Sequence, residues 1–196
     1  MSLDALKTSH PIDVKVNHPS EIREIFDSIS YDKGGCILRM LEHFVTDKNF
    51  QKGLQKYLKK YAYTNAEGRD LWKSIGEVAK KPIDKMMNTW IDQVGFPIVS
   101  VNRKGSQLSL KQTRYLLEET KTSKKGTWKI PLIVDEGNTS TSYIMDKKSQ
   151  SIKFPKLETA VFAFPATRYP FALSFKGLPG NGAPTLPLLP TELSSS

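Results

Sequence analysis

The chain has 196 residues, 38% of them hydrophobic and 25% charged, and carries a formal net charge of +9 at pH 7. That length can bury a real core in one large domain or two small ones, and no apolar run approaches the roughly 20 residues of a bilayer-spanning helix. The N-terminus lacks the basic-then-apolar layout of a signal peptide, and the single cysteine, Cys36, excludes an intrachain disulfide, which fits a reducing, cytoplasmic compartment.

A positive balance raises the question of phosphate binding, because clustered Lys and Arg neutralise a nucleic-acid backbone. The basic residues are instead scattered: Lys52, Lys56, Lys59 and Lys60 on one helical stretch, Lys80 and Lys81 at a helix end, and Lys121, Lys124 and Lys125 in an expected loop. No glycine-rich phosphate loop or RNA-recognition aromatic motif accompanies them. They read as solvated surface, and nucleic acid is not an expected partner.

Taken in order, residues 1–19 carry His10-Pro11 and His18-Pro19, and each residue before a proline is pushed toward extended geometry. A loop with a short extended Val14-Lys15-Val16 is expected. Ser20 is a suitable N-cap, and Ile22, Ile25, Phe26 and Ile29 recur at helical spacing to about Ser30, which predicts a helix with an apolar buried face. After Gly34 and Gly35, whose small size would allow a close backbone approach beside Tyr31, the residues Ile37, Met40, Leu41, Phe44 and Val45 form a second stripe. Asp47 is expected to cap a third helix, where Phe50, Leu54, Tyr57, Leu58 and Tyr61 are read as core and rim packing. Thr64-x-x-Glu67 has the form of a capping box ahead of Leu71, Trp72, Ile75 and Val78. Pro82 suits a first helical position before Ile83, Met86, Met87, Trp90 and Ile91, and Gly95 is a natural terminator.

From Phe96 the period changes to alternation. Ile98 to Val101 leads through Lys104-Gly105 into Leu108 to Leu110, a hairpin signal. Trp128, Ile130, Leu132 and Val134 alternate with Lys129 and Pro131, the proline suggesting an edge strand, and Tyr143 to Met145 and Ile152 to Phe154 are further short strands. Seven prolines, at 155, 165, 170, 179, 184, 187 and 190, and the closing Ser194-Ser195-Ser196 predict a low-complexity tail. Asn138-Thr139-Ser140 fits the glycosylation acceptor pattern, which matters only in a secreted protein.

One stretch carries more than packing. By chemistry alone Tyr31 at a helix junction reads as a structural tyrosine with a half-buried ring. Its flanks, Glu21-Ile22-x-x-Ile25-Phe26-Asp27-x-Ile29-Ser30-Tyr31-x-Lys33-Gly34 followed by Leu38-Arg39-Met40-Leu41, resemble the gluzincin zinc aminopeptidases of the alanyl, puromycin-sensitive and tricorn-interacting-factor kind. The resemblance extends upstream to Asp4-Ala5-Leu6 and Ser9-His10-Pro11-Ile12. Downstream it takes in Tyr63-x-Asn65, Asp70-Leu71-Trp72, Met87-Asn88-x-Trp90 and Gln93-x-Gly95-Phe96-Pro97, covering about residues 3–101 strongly and fading by about 153. It implies that Tyr31 hydrogen-bonds the oxyanion of a tetrahedral intermediate during removal of N-terminal residues from peptides.

The family's zinc is held by a His-Glu-x-x-His helix and a later glutamate, and a Gly-x-Met-Glu-Asn loop helps hold the substrate amine. None of these occurs here. The histidines are His10, His18 and His43, no two of them four apart, and the inverted His-x-x-Glu-His order fails at Arg39. No metal or other cofactor is assigned to this chain, zinc belonging to the complete family enzyme. The resemblance therefore implies an α+β fragment: residues 1–95 as the all-helical half of a thermolysin-like catalytic domain, 96–154 as a partial β-sandwich linker domain, and 155–196 as a proline-rich tail. Its partners are then the complete enzyme's peptide substrates, with no activity expected of the piece alone. A non-catalytic peptide- or partner-binding module is the alternative.

Overall fold

Four α-helices followed by strands make up the computed structural model, which describes residues 3–23, 25–104, 106–117, 126–135, 140–153, 161–162 and 172–176. The fold is α+β. Helix α1 (Gly34–Val45) buries Ile37, Met40, Leu41, Phe44 and Val45, the stripe that the helical period predicts. Thr46, at φ 75°, turns the chain sharply into α2 (Asp47–Lys60), so Asp47 is the first helical residue and not the cap. Helix α3 (Gly68–Ala79) buries Trp72, Ser74 and Ile75, and α4 (Ile83–Ile91) buries Ile83, Met86, Met87, Trp90 and Ile91.

Several local expectations differ from the structure. Where a helix was expected from Ile22 to Ser30, the structure has a 3-10 turn at Pro19–Arg23 and a π-helical turn at Ile29–Lys33, with residues 25–27 outside any helix. The reason is visible in burial: Ile22 is 42% and Phe26 64% exposed, Ile25 is half-buried, and of the four only Ile29, at the end of the stretch, is buried, so most of the supposed core face is left uncovered. Ser20 caps nothing, its hydroxyl and amide both being engaged by the His18 ring. The capping box lies three residues later than expected, with Asp70 accepting from the Glu67 amide at 3.1 Å, while the Thr64 hydroxyl donates to the Tyr61 carbonyl and closes α2. Gly34 and Gly35 face open space, so no close approach explains them. The close approach is at Gly53, the one buried residue of α2, where a Cβ would lie 2.8 Å from the Ile75 Cα. Phe50, Leu54, Tyr57 and Tyr61 are half-buried and Leu58 is exposed, so α2 packs through its glycine and a rim.

The strands form two sheets. In the first, β1 (Pro97–Lys104) pairs antiparallel with β2 (Gln107–Arg114), whose other edge takes β5 (Ser149–Lys153); β7 (Ala172–Lys176) runs parallel to β1. In the second, β3 (Ile130–Asp135) lies between β4 (Ser140–Met145) and β6 (Val161–Phe162). The hairpin register places Lys104 against Gln107, as the alternation predicts. Pro131 is on a central strand and not an edge strand, but β6 pairs only with Val134 and Asp135, so the proline lies where that side of β3 has no neighbour among the described residues. Strands β6 and β7 fall in the stretch read as a proline-rich tail. The residues at Gly105, Lys121, Lys124, Lys125, Asn138 and Phe154 lie outside the described residues.

Helices and sheets share one core. Trp90 and Trp128 meet at 6.4 Å between ring centroids, in the same buried cluster as Ile75, Met86, Val99, Leu110 and Ile130. Full burial of such side chains is worth roughly 1.5–3 kcal/mol each, which makes this the main stabilising contact between the two layers. Polar bonds then fix its register. The Trp90 indole donates to the Lys129 carbonyl at 2.9 Å, and buried Gln112 donates to the Trp128 and Lys147 carbonyls while accepting from the Trp128 amide. Lys81 reaches across from the end of α3 to the Phe44 carbonyl and the Ser142 hydroxyl, with burial pulling its pKa down.

Candidate functional site

The π-helical turn Ile29–Lys33 is where the sequence placed its one candidate residue. Its wider winding is closed by the Gly34 amide, which donates to the Ile29 carbonyl, and π turns of this kind recur at functional sites. Asp27 starts the turn: its Oδ1 accepts from the Ile29 amide at 2.9 Å and the Ser30 amide at 3.1 Å, while its backbone carbonyl accepts from the Tyr31 amide at 3.2 Å. The Ser30 hydroxyl donates to the Ile25 carbonyl. Tyr31 is thus carried on a backbone whose amides at Ile29, Ser30 and Tyr31 are all bonded to Asp27.

Tyr31 is 63% exposed, its ring tilted against that of Phe26 at 5.9 Å. A half-buried packing tyrosine, which its chemistry alone suggested, is not what the fold contains. The hydroxyl has no hydrogen bond among the described residues. A shallow hollow beside the turn, lined by Leu3, Ile29, Asp32 and Cys36 among others, does not include Tyr31.

Two residues on from Tyr31, Lys33 points the other way. Its side chain is 6% exposed, and its ammonium donates to Asp4 at 3.1 Å and to the carbonyls of Gly95 at 3.0 Å and Gln93 at 3.3 Å. Asp4 also accepts from the Gly95 amide at 2.9 Å. Burial pulls the Lys33 pKa below the usual lysine value, Asp4 partly restores it, and Arg114 adds to the depression. Gly95 is required by its backbone, at φ 82°; a Cβ there would also lie 2.7 Å from the Arg114 Nε, which would have to move aside. Three of the sequence segments singled out above, around Asp4, Lys33 and Gly95, therefore meet at one buried ion pair.

A second clasp lies on the other side of the turn. His10 Nε2 lies 2.9 Å from Asp27 Oδ2, and its Nδ1 lies 2.7 Å from the Pro11 carbonyl oxygen. Burial lowers the His10 pKa, but the Pro11 carbonyl and the Asp27 carboxylate outweigh it and the net shift is upward. For Asp27, burial raises the pKa while the Ser30 amide, His10 and the Ile29 amide lower it, and the net shift is downward. The roles of Asp4, His10 and Asp27 were not assigned from sequence, because contacts across 17 and 29 residues leave no periodic trace; their only signal was membership of the quoted segments.

Among the described residues no group of three or more His, Cys, Asp or Glu could hold a metal ion, and the histidines stand apart: His10 on Asp27, His18 on Ser20, His43 on α1. No described helix is long and apolar enough to cross a membrane.

Comparison with known proteins supplies the family. Residues 1–90 match the Peptidase family M1 domain. The chain is 46% identical over 132 residues to Aminopeptidase M1-C of Oryza sativa subsp. japonica, covering 67% of this chain and 15% of that protein. It is 44% identical over 143 residues to Tricorn protease-interacting factor F2 of Thermoplasma volcanium (73% and 18%), and 40% identical over 151 residues to Leucyl aminopeptidase of Saccharolobus solfataricus (77% and 19%). The chain belongs to the M1 aminopeptidase family, and it spans less than a fifth of the length of these relatives.

Proposed function

We propose that this chain supplies the oxyanion-stabilising side of an aminopeptidase site, with Tyr31 donating a hydrogen bond to the scissile carbonyl oxygen as negative charge develops there. The observation that carries this is the exposed phenol on a turn fixed by Asp27, with no hydrogen bond of its own among the described residues. A donor held in place before charge appears loses little in reorganisation, and one such donor is worth about 100- to 1,000-fold in kcat. The substrate class is peptides with a free N-terminus. By itself the chain is expected to hydrolyse nothing, because its sequence lacks the His-Glu-x-x-His motif that would hold the metal and activate water. A cytoplasmic location goes with this reading, supported by the single cysteine.

The test is a chimera in which residues 3–101 of this chain replace the matching stretch of the Saccharolobus solfataricus leucyl aminopeptidase, assayed on a leucine anilide. Tyr31→Phe in the active chimera is expected to lower kcat by about 100-fold or more with KM little changed. Normal kcat would overturn the catalytic role. A rise in KM at unchanged kcat would instead favour the peptide-binding module, with Phe26 and Tyr31 as its contact surface.

A further inference from the structure

His10 belongs to the Ser9-His10-Pro11-Ile12 segment, which the proposed function does not use, and its two ring nitrogens face partners that can only accept. One is the Pro11 carbonyl oxygen at 2.7 Å, the other Asp27 Oδ2 at 2.9 Å. A neutral imidazole carries one N–H and can satisfy one of them; an imidazolium satisfies both. Asp27 is held as the anion on independent grounds, since its other oxygen accepts two backbone amides, from Ile29 and Ser30, and a carboxyl that carried the proton would accept them less well.

We infer that His10, as an imidazolium clamped between Pro11 and Asp27, is a positioning residue for Tyr31. The chain of contacts is short. The ring holds one Asp27 oxygen, the other oxygen holds the first two amides of the π turn, and the Asp27 carbonyl holds the Tyr31 amide. When His10 loses its proton, one of its two bonds is lost and the charge attraction to Asp27 goes with it, so the start of the turn loosens while the Lys33 end stays pinned to Asp4. The charged groups facing His10 are Asp27, which favours the imidazolium, and Lys33, which opposes it; the upward net shift of His10 agrees with the first prevailing. The rank of His10 as a positioning residue rests on the catalytic reading of Tyr31; the clamp itself does not.

The experiment uses the whole 196-residue chain labelled with nitrogen-15, and follows the His10 ring nitrogens and the Ile29, Ser30 and Tyr31 amides by NMR from pH 5 to pH 9. Both His10 nitrogens are expected to remain protonated at pH 6.5, and the three amides to shift with the His10 midpoint. Asp27→Asn is expected to lower that midpoint by about one pH unit, a tenfold loss of proton affinity. Because Asp27→Asn can also loosen the turn, His10→Gln serves as the second variant: its amide still donates to Asp27 but does not titrate, so the pH dependence of the Tyr31 amide should vanish. A singly protonated His10 at pH 6.5, or a Tyr31 amide that still titrates in His10→Gln, would overturn the inference. These readouts use no hydrolysis. If kcat proved insensitive to Tyr31→Phe while the titrations held, the catalytic reading would fall and the clamp would stand.

Discussion

Replacing Lys33 by methionine tests the buried ion pair that joins the head of the chain to the corner between α4 and β1. The two side chains are 6% and 5% exposed, so water cannot replace the lost ammonium. Methionine fills similar volume but leaves the Asp4 carboxylate with the Gly95 amide as its remaining recorded partner, and strips a donor from the carbonyls of Gln93 and Gly95. Breaking one side of a buried pair costs about 3–5 kcal/mol, much more than the 0–1 kcal/mol of a surface pair. Urea unfolding followed by the emission of buried Trp72, Trp90 and Trp128 should show a loss of that size in Lys33→Met. Adding Asp4→Asn should restore at least about 1 kcal/mol, because an amide still accepts from Gly95 but no longer buries an uncompensated charge. A loss in Lys33→Met below about 1 kcal/mol, or no recovery in the double variant, would refute the view that Lys33 and Asp4 form a desolvated, mutually dependent pair.

Three further outcomes are expected. Gly53→Ala should destabilise by about 1–3 kcal/mol through overlap with the Ile75 backbone, outweighing the about 1 kcal/mol of helix propensity it gains, whereas Gly34→Ala, which meets nothing within 4 Å, should be neutral or stabilising; denaturant midpoints compare them directly. Gln112→Leu should cost about 3 kcal/mol or more, because it orphans the Trp128 amide and the Trp128 and Lys147 carbonyls together, and the loss is readable in thermal melts. The pH profile of stability should carry the mark of His10 and Asp27. The His10 pKa is raised above 6.5, so its contribution is complete below 6.5 and is lost as pH rises through the raised value; the Asp27 pKa is lowered below 3.8, so its contribution is complete above 3.8 and is lost as pH falls through the lowered value. The stability difference between the native chain and His10→Ala should therefore be greatest between those two values and shrink toward pH 9, as melts across the range would show.

The sequence by itself determined the elements whose burial follows a simple period. The stripe Ile37, Met40, Leu41, Phe44 and Val45 and that of Ile83, Met86, Met87, Trp90 and Ile91 are buried as read, and the change to alternation at Phe96 marks the start of the strands. Tyr31 was singled out by the residues around it rather than by its own chemistry, while its exposure on a π-helical turn was decided by the fold. Tertiary structure alone decided the rest, for reasons of solvent and distance. The apolar spacing of Ile22 and Phe26 was helical, but a period says which residues share a face and not whether anything covers that face, and here most of it is left uncovered. Gly53 reads as a weak point in a helix until Ile75 is seen against it. Asp4, His10, Asp27 and Lys33 are common polar residues whose ordinary expectation is solvent. Only folding brings Asp4 to Lys33 and His10 to Asp27, excluding water from the first pair and tying the second to the turn that carries Tyr31.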